Sequence, residues 1–268
     1  MTKTIMLIHG AWLNSKSWEG FKARYEARGY RVIASDWPYD DASPAELRAA
    51  PRKELAKSGQ RDILAHYERQ IRRLGEEPIL IGHSLGGVFV QHLLDRGFGV
   101  AGVAIDPAPT PGVPLGPQAI LSALPVLGDP FSGGKVITMT RKFFKTRFAQ
   151  TLPEEMKDDH YDRYSVPTAG KVYWDGVIGA MSIDWKNPKR APLLFIAGGK
   201  DLIADASMTK AIYNKQKAAP SATEFKLFPD RCHWTCLEPG WEEVADFALD
   251  WAERQAGAAP SARLRVAS

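Results

Sequence analysis

Six short apolar runs, each separated from the next by a longer stretch, constrain this chain more than any other feature. They are Thr4 to Ile8, Arg31 to Ser35, Pro78 to Gly82, Val100 to Ile105, Leu193 to Ala197 and Glu224 to Phe228. Most are continuously apolar where a half-exposed strand would alternate, which is the pattern of parallel strands covered on both faces. The last run is the least apolar and is expected at an edge. Helical periodicity fills Trp18 to Arg28, Gln60 to Leu74, Leu85 to Arg96 and Ala206 to Lys217. A final helix, Trp241 to Arg254, brings Trp241, Val244, Ala248 and Trp251 to one face. The expected fold is α/β, a doubly wound and mostly parallel sheet of about six strands with helices on both faces.

One interval breaks the alternation. Between Pro107 and Pro192 no run reads as a strand, and Pro107, Pro109, Pro111, Pro114 and Pro117 forbid a helix at its start. The expected organisation is a core of residues 1–106 and 192–256, a helical lid of residues 107–191 inserted into it, and a loose tail of residues 257–268. Within the lid, Val136, Met139 or Thr140, Phe143 or Phe144, and Phe148 share one face of an expected amphipathic helix, with Arg141, Lys142, Lys145 and Arg147 elsewhere. Packing of its phenylalanines on the core is the favoured reading; attachment to a membrane surface is the alternative.

Composition narrows the class. Lys and Arg number 35 against 31 Asp and Glu in 268 residues, a net charge of +4 too small and too dispersed to argue for nucleic acid. Two cysteines, Cys232 and Cys236, form no disulfide framework and fit a reducing compartment. The first residues pass from an apolar run directly into His9-Gly10 with no cleavage site, and no run approaches the roughly 18 apolar residues of a membrane span. A cytoplasmic protein without stable membrane insertion is expected; the oligomeric state is left open.

Chemistry concentrates at Gly82-His83-Ser84-Leu85-Gly86-Gly87, which follows one apolar run and precedes a helical pattern. A serine on so sharp a strand-to-helix turn takes a strained backbone conformation, and glycines at minus two and plus two avoid clashes with adjacent chain. The turn lifts Oγ above the sheet and sets the Leu85 N–H at a helix N-terminus, where negative charge is favoured. A hydroxyl needs a base to become a nucleophile. Of six histidines, His9, His66, His83, His92 and His160 sit elsewhere in the pattern, and only His233 follows the last strand on a loop able to reach Ser84. A carboxylate must then orient the imidazole. Asp201, after Gly198-Gly199-Lys200, is favoured over Asp106, with Asp205 weaker. A second oxyanion donor is the Ala11 amide in His9-Gly10-Ala11-Trp12. Trp12, Trp174 and Trp234 are candidate substrate-contacting residues, with core packing the competing reading for Trp12 and Trp174.

These pieces together resemble the α/β-hydrolase superfamily. His9-Gly10-Ala11-Trp12 with Trp18 further on is similar to the loop of the plant esterase and hydroxynitrile lyase group and of bacterial relatives. The resemblance covers the segments before residue 107 and after residue 191; the lid matches in position and length alone. It implies a triad of Ser84, Asp201 and His233 and oxyanion donors at Ala11 and Leu85; the expected sheet departs from the full family pattern in lacking its first two strands, which affects the sheet edge and not the site.

The expected activity is a serine esterase acting on a small or medium apolar ester through an acyl-enzyme at Ser84, with no cofactor. Lactone or carbon–carbon hydrolysis and cyanohydrin cleavage are alternatives, and a non-catalytic ligand receptor is the reading from a different class. Cyanohydrin cleavage implies, by family analogy, a pocket lysine that this sequence does not place. Cys232 and Cys236 flank His233, but two sulfurs and one imidazole do not complete a four-ligand zinc site.

Overall fold

The computed structural model describes residues 2–258. In chain order the elements are β1 (Thr4–Ile8), α1 (Glu19–Ala27), β2 (Arg31–Ala34), α2 (Pro44–Ala49), α3 (Gln60–Leu74), β3 (Ile79–His83), α4 (Leu85–Asp95) and β4 (Ala101–Ile105). Then follow α5 (Pro117–Leu127), β5 (Val136–Ile137), α6 (Arg141–Phe143), α7 (Glu154–Tyr164), β6 (Thr168–Ala169) and α8 (Lys171–Val177). The chain re-enters the sheet through β7 (Leu193–Gly198), α9 (Ala206–Gln216), β8 (Thr223–Phe228) and α10 (Trp241–Ala258).

Six parallel strands pair in the order β2-β1-β3-β4-β7-β8, with Ile5 opposite Ile79, Ile79 opposite Ala101 and Gly102 opposite Leu193. Successive side chains of a strand serve opposite faces. Met6, Ile8 and Leu80 pack with Ile63, Leu64, Tyr67 and Phe89 of α3 and α4 and with Met208 and Ile212 of α9. Ile5, Leu7, Ile79 and Ile81 pack with Phe21 and Tyr25 of α1 and with Val244, Ala248 and Trp251 of α10. Double burial is therefore the reason for the unbroken apolar runs. At the edge, β8 buries only Phe228 fully, in line with its weaker pattern. The charged residues of α3, Arg61, Asp62, Arg69, Arg72 and Arg73, face solvent.

Three details differ from the sequence reading. The stretch from Val136 is not one helix: Val136 and Ile137 form an antiparallel ribbon with Ala169 and Thr168, so the insertion contains strand as well as helix. Thr140 caps the short α6 by accepting the Phe143 amide at 3.1 Å, and the chain then widens to a π turn over Phe144–Phe148. That turn sends both Phe144 and Phe148 into a core with Trp12, Tyr161, Tyr164 and Trp234. The apolar face is consumed by packing, which removes the membrane-surface reading of this segment. Lastly, α10 runs through Ala258, so the first residues assigned to a loose tail are helical; residues 259–268 lie outside the described residues.

Candidate active site

Ser84 sits between β3 and α4 with φ 56° and ψ −122°, a conformation that non-glycine residues rarely adopt. Its neighbours explain how the turn fits. A Cβ on Gly82 would lie 2.3 Å from the Gly86 carbonyl oxygen, and one on Gly86 would lie 2.0 Å from the Ile8 carbonyl oxygen. Both obstacles are backbone and cannot yield. A Cβ on Gly10 would lie 2.7 Å from Ser84 Cβ and 3.2 Å from its Oγ, so the loop leading to Ala11 runs directly against the serine. Leu85 opens α4, where unsatisfied N–H groups gather.

His233 and Asp201 meet at the same end of the sheet. His233 Nδ1 lies 2.7 Å from Asp201 Oδ2, with both side chains buried. Asp201 Oδ1 accepts the amides of Ile203 at 2.6 Å and Ala204 at 2.9 Å. Burial raises this carboxyl above its ordinary value, while the two amides favour the charged form. Burial also lowers His233 well below the usual imidazole value, which leaves the ring neutral and able to take a proton. His233 Nε2 is buried and has no hydrogen-bonding partner in the protein.

The competing carboxylate is accounted for in another way. Asp106, at φ 43° after β4, is fully buried; its Oδ1 accepts the Gly198 amide at 2.6 Å, and its Oδ2 lies 2.6 Å from the Thr235 hydroxyl. That hydroxyl also contacts the Cys232 carbonyl, which can only accept. One hydroxyl proton cannot serve both, so the network closes when Asp106 carries a proton of its own. Burial, followed by the Asp201 charge, raises Asp106 well above the carboxylate range and supports that state. Asp106 thus joins the loops that carry Asp201 and His233. Asp205 instead caps α9 by accepting the Met208 amide at 3.0 Å.

Sequence reasoning gave no role to two residues that hold His233. His83 Nε2 meets the His233 carbonyl at 2.9 Å, and burial keeps its ring neutral. Phe148 of the insertion sets its ring edge-on to His233 at 4.8 Å. Neither could be found from the spacing: His83 looked like a filler of the serine turn, and Phe148 like any phenylalanine of an apolar face.

A cavity of about 450 Å³ opens beside Ser84. Ala11, Trp12 and Leu85 line it, with Pro109, Val113, Ala119 and Ile203 among the apolar remainder and Gln60, Thr110, Ser122 and Tyr173 among the uncharged polar residues. No charged side chain lines it among the described residues. Trp12, at φ 63°, is both wall and core, since its ring packs on Phe143, Phe148 and Tyr173. The other two tryptophans lie outside the lining. Trp174 turns its Nε1 to Ser132 Oγ at 2.8 Å, leaving Val172, Tyr173, Gly176 and Val177 of the same segment to face the cavity. Trp234 donates from Nε1 to His160 Nδ1 at 2.9 Å and packs among Phe144, Phe148 and Tyr164.

Cys232 and Cys236 are free and buried. Among the described residues the one group with metal-ligand spacing is His83, Asp106 and His233, whose atoms lie within 4.8 Å of one another. His83 Nε2, both Asp106 oxygens and His233 Nδ1 are engaged with the His233 carbonyl, Gly198 and Thr235, and Asp201, while His233 Nε2 is left without a partner. No helix among the described residues is long and apolar enough to cross a membrane.

A parallel sheet that delivers a serine elbow, a histidine loop and an acidic loop to one edge defines a class. The chain belongs to the alpha/beta hydrolase family, which matches residues 5–261. No curated protein matches it. Among solved structures it is similar to the monoacylglycerol lipase of Paleococcus ferrophilus, at 19% identity and a TM-score of 0.65 over 96% of both chains. It is similar as well to a pyrethroid hydrolase from Sphingobium faniae, at 18% identity and TM-score 0.66 over 96% of this chain and 100% of that one. Tomato methylketone synthase I, solved with 2-tridecanone, superposes with TM-score 0.69 at 18% identity, over 95% of this chain and 99% of its own. Identities this low speak for the fold alone.

Proposed function

We propose that the protein is a serine hydrolase that cleaves an uncharged, largely apolar carboxylic ester through an acyl-enzyme at Ser84. The observation that carries this reading is the buried 2.7 Å contact of His233 Nδ1 with Asp201, which leaves Nε2 without a partner, at the end of the sheet where Ser84 is held at positive φ. Ser84 Oγ attacks the ester carbonyl as His233 Nε2 takes its proton. Asp201 fixes the tautomer and stabilises the imidazolium as it forms. The carbonyl oxygen becomes an oxyanion, held by the Leu85 and Ala11 amides. Collapse expels the alcohol with the proton from His233, and water repeats the sequence to release the acid.

The apolar lining favours a neutral ester, because a charged group would lose hydration in the cavity with no opposite charge to meet it. Residues 107–191 act as a lid: α5 and α8 supply much of the wall, and Phe148 ties the insertion to His233. The lipase and the hydrolase among the fold neighbours agree with this reading. Cyanohydrin cleavage lacks its lysine in the cavity wall. The test is hydrolysis of a chromogenic ester series of increasing acyl length by wild type and folded Ser84→Ala, with mass analysis after a serine-directed phosphonate. Turnover that vanishes in the variant, with mass gained at Ser84, is expected; undiminished turnover in Ser84→Ala overturns the assignment.

A further inference from the structure

His9 follows β1 directly and lies fully buried, yet the proton path from Ser84 through His233 does not pass through it. Its ring stacks on Trp37, with centroids 4.8 Å apart and planes inclined by 28°. Its Nδ1 lies 3.0 Å from the Gly10 carbonyl oxygen, and its Nε2 is buried with no hydrogen-bonding partner in the protein. Burial lowers this imidazole to about 4, so at neutral pH the ring is uncharged and carries one N–H. A carbonyl only accepts, which puts that proton on Nδ1. The other tautomer would set a lone pair against the carbonyl and leave a buried N–H unpaired.

The carbonyl so held belongs to the Gly10–Ala11 peptide. A trans peptide is planar and points its carbonyl and its N–H in opposite directions, so a bond to the oxygen also fixes where the amide points. With the oxygen turned to His9, the Ala11 N–H is turned away from that ring. No acceptor among the described residues takes this amide up, and Ala11 lines the cavity beside Ser84. The approach is close, since a Cβ on Gly10 would lie 3.2 Å from Ser84 Oγ. Beyond Ala11 the loop is anchored at Trp12, whose carbonyl accepts the Val166 amide at 3.0 Å and whose Nε1 donates to the Ile137 carbonyl at 3.1 Å. Between β1 and that anchor, glycine leaves the Gly10–Ala11 peptide free to rotate. Among the described residues His9 is the one donor to its carbonyl.

We propose that His9 is a positioning residue for the oxyanion site: its Nδ1–H holds the Gly10 carbonyl and so keeps the Ala11 N–H aimed at the oxygen that becomes negative when Ser84 attacks. This rests on the hydrolase reading of Ser84. The amide acts most strongly on the charged oxygen of the tetrahedral intermediate, so a loosened peptide lowers kcat far more than it raises KM.

The test separates the donor from the ring. His9→Phe keeps an aromatic ring for Trp37 and removes the donor, whereas His9→Asn sets a side-chain NH2 near the place of Nδ1 and gives up the stacking. His9→Phe is expected to lose about ten- to a hundredfold in kcat with KM nearly unchanged. It should lose the same factor in affinity for a trifluoromethyl ketone that adds to Ser84, and none for an ether analogue of equal length, which forms no oxyanion. His9→Asn should recover most of the loss despite a lower urea midpoint; a purely structural role predicts activity that follows the urea midpoint instead. Nitrogen-15 NMR of wild type should show His9 protonated at Nδ1. Equal ketone affinity in wild type and His9→Phe, no recovery in folded His9→Asn, or a proton on Nε2 overturns the inference; His9→Leu replaces the phenylalanine variant if the latter does not fold. If wild type cleaves no ester and takes no phosphonate at Ser84, the hydrolase reading itself fails and the role of His9 falls with it.

Discussion

Asp106 and Thr235 lie 2.6 Å apart in the core, joining the end of β4 to the loop that carries His233. With the Gly198 amide on its other oxygen, Asp106 spans both loops that meet at the His233–Asp201 contact. The two acidic residues of this edge thus have separate work: one is held by N–H donors alone, the other closes its network only when protonated.

Their asparagine variants should differ accordingly. Asp201→Asn cannot hold the His233 tautomer and is expected to lower kcat by about four orders of magnitude. Asp106→Asn keeps an oxygen for Gly198 and gains an NH2 for Thr235, so it should retain both fold and most activity. Asp106→Ala, which strands both partners, should destabilise by about 2–4 kcal/mol. Steady-state kinetics and urea unfolding separate the three; an inactive Asp106→Asn beside an active Asp201→Asn would move the acid to β4.

Ser84→Ala should lower kcat/KM by at least about three orders of magnitude while leaving the urea midpoint close to wild type, because alanine meets the same backbone strain and removes one small polar atom. Circular dichroism beside the ester assay checks both halves.

Gly86→Ala places a Cβ 2.0 Å from the Ile8 carbonyl, so β1 and α4 must separate. We expect a loss of about 3 kcal/mol or more and a serine turn out of position. A urea midpoint within error of wild type would contradict the close approach.

Acid should affect activity and stability through different histidines. His233 acts as base only when neutral, and burial lowers its pKa, so kcat/KM should fall with decreasing pH at a midpoint below the ordinary 6.5. A midpoint at or above that value would mean the imidazole is less shielded than its burial indicates.

His92 of α4 is buried, has no partner at either ring nitrogen and is lowered from 6.5 to about 4. Folded, it stays neutral; unfolded, it binds a proton below 6.5. Its contribution is therefore fully present above that pH and lost as pH falls towards 4, amounting to roughly 3 kcal/mol. His92→Leu should reduce the acid-induced fall of the urea midpoint between about pH 7 and pH 4.5 relative to wild type.

The central strands β1, β3, β4 and β7 were legible because each is buried on both faces, which leaves an unbroken apolar run that no solvent-exposed element shows; the edge strands β2 and β8 are only partly buried and carry a weaker pattern. Helices α3, α4 and α9 were legible within one residue from their periodicity. The insertion was not. Phe144 and Phe148 face inward through a π turn, and Val136 pairs with Ala169 far along the chain, so the local period misrepresented both. The helices α5, α7 and α8 went unread because α5 and α8 pack on one another and on the cavity, and α7 on α2 and the π turn, without the clean stripe of a sheet-covering helix.

At the candidate site the same division holds. Ser84, His233 and the preference for Asp201 over Asp106 came from the sequence, since a strand-end serine between glycines and a histidine after the last strand are fixed by chain order in a parallel sheet. The roles of Trp174 and Trp234 did not, because which side of a helix or loop faces a cavity depends on contacts with Ser132 and His160 that lie distant in sequence. The buried strut at Asp106, the support of His233 by His83 and Phe148, and the unpartnered, buried hydroxyl of Thr110 were decided by the tertiary structure alone. Burial and hydrogen-bond partnership are properties of the space around an atom, and only the folded chain creates that space.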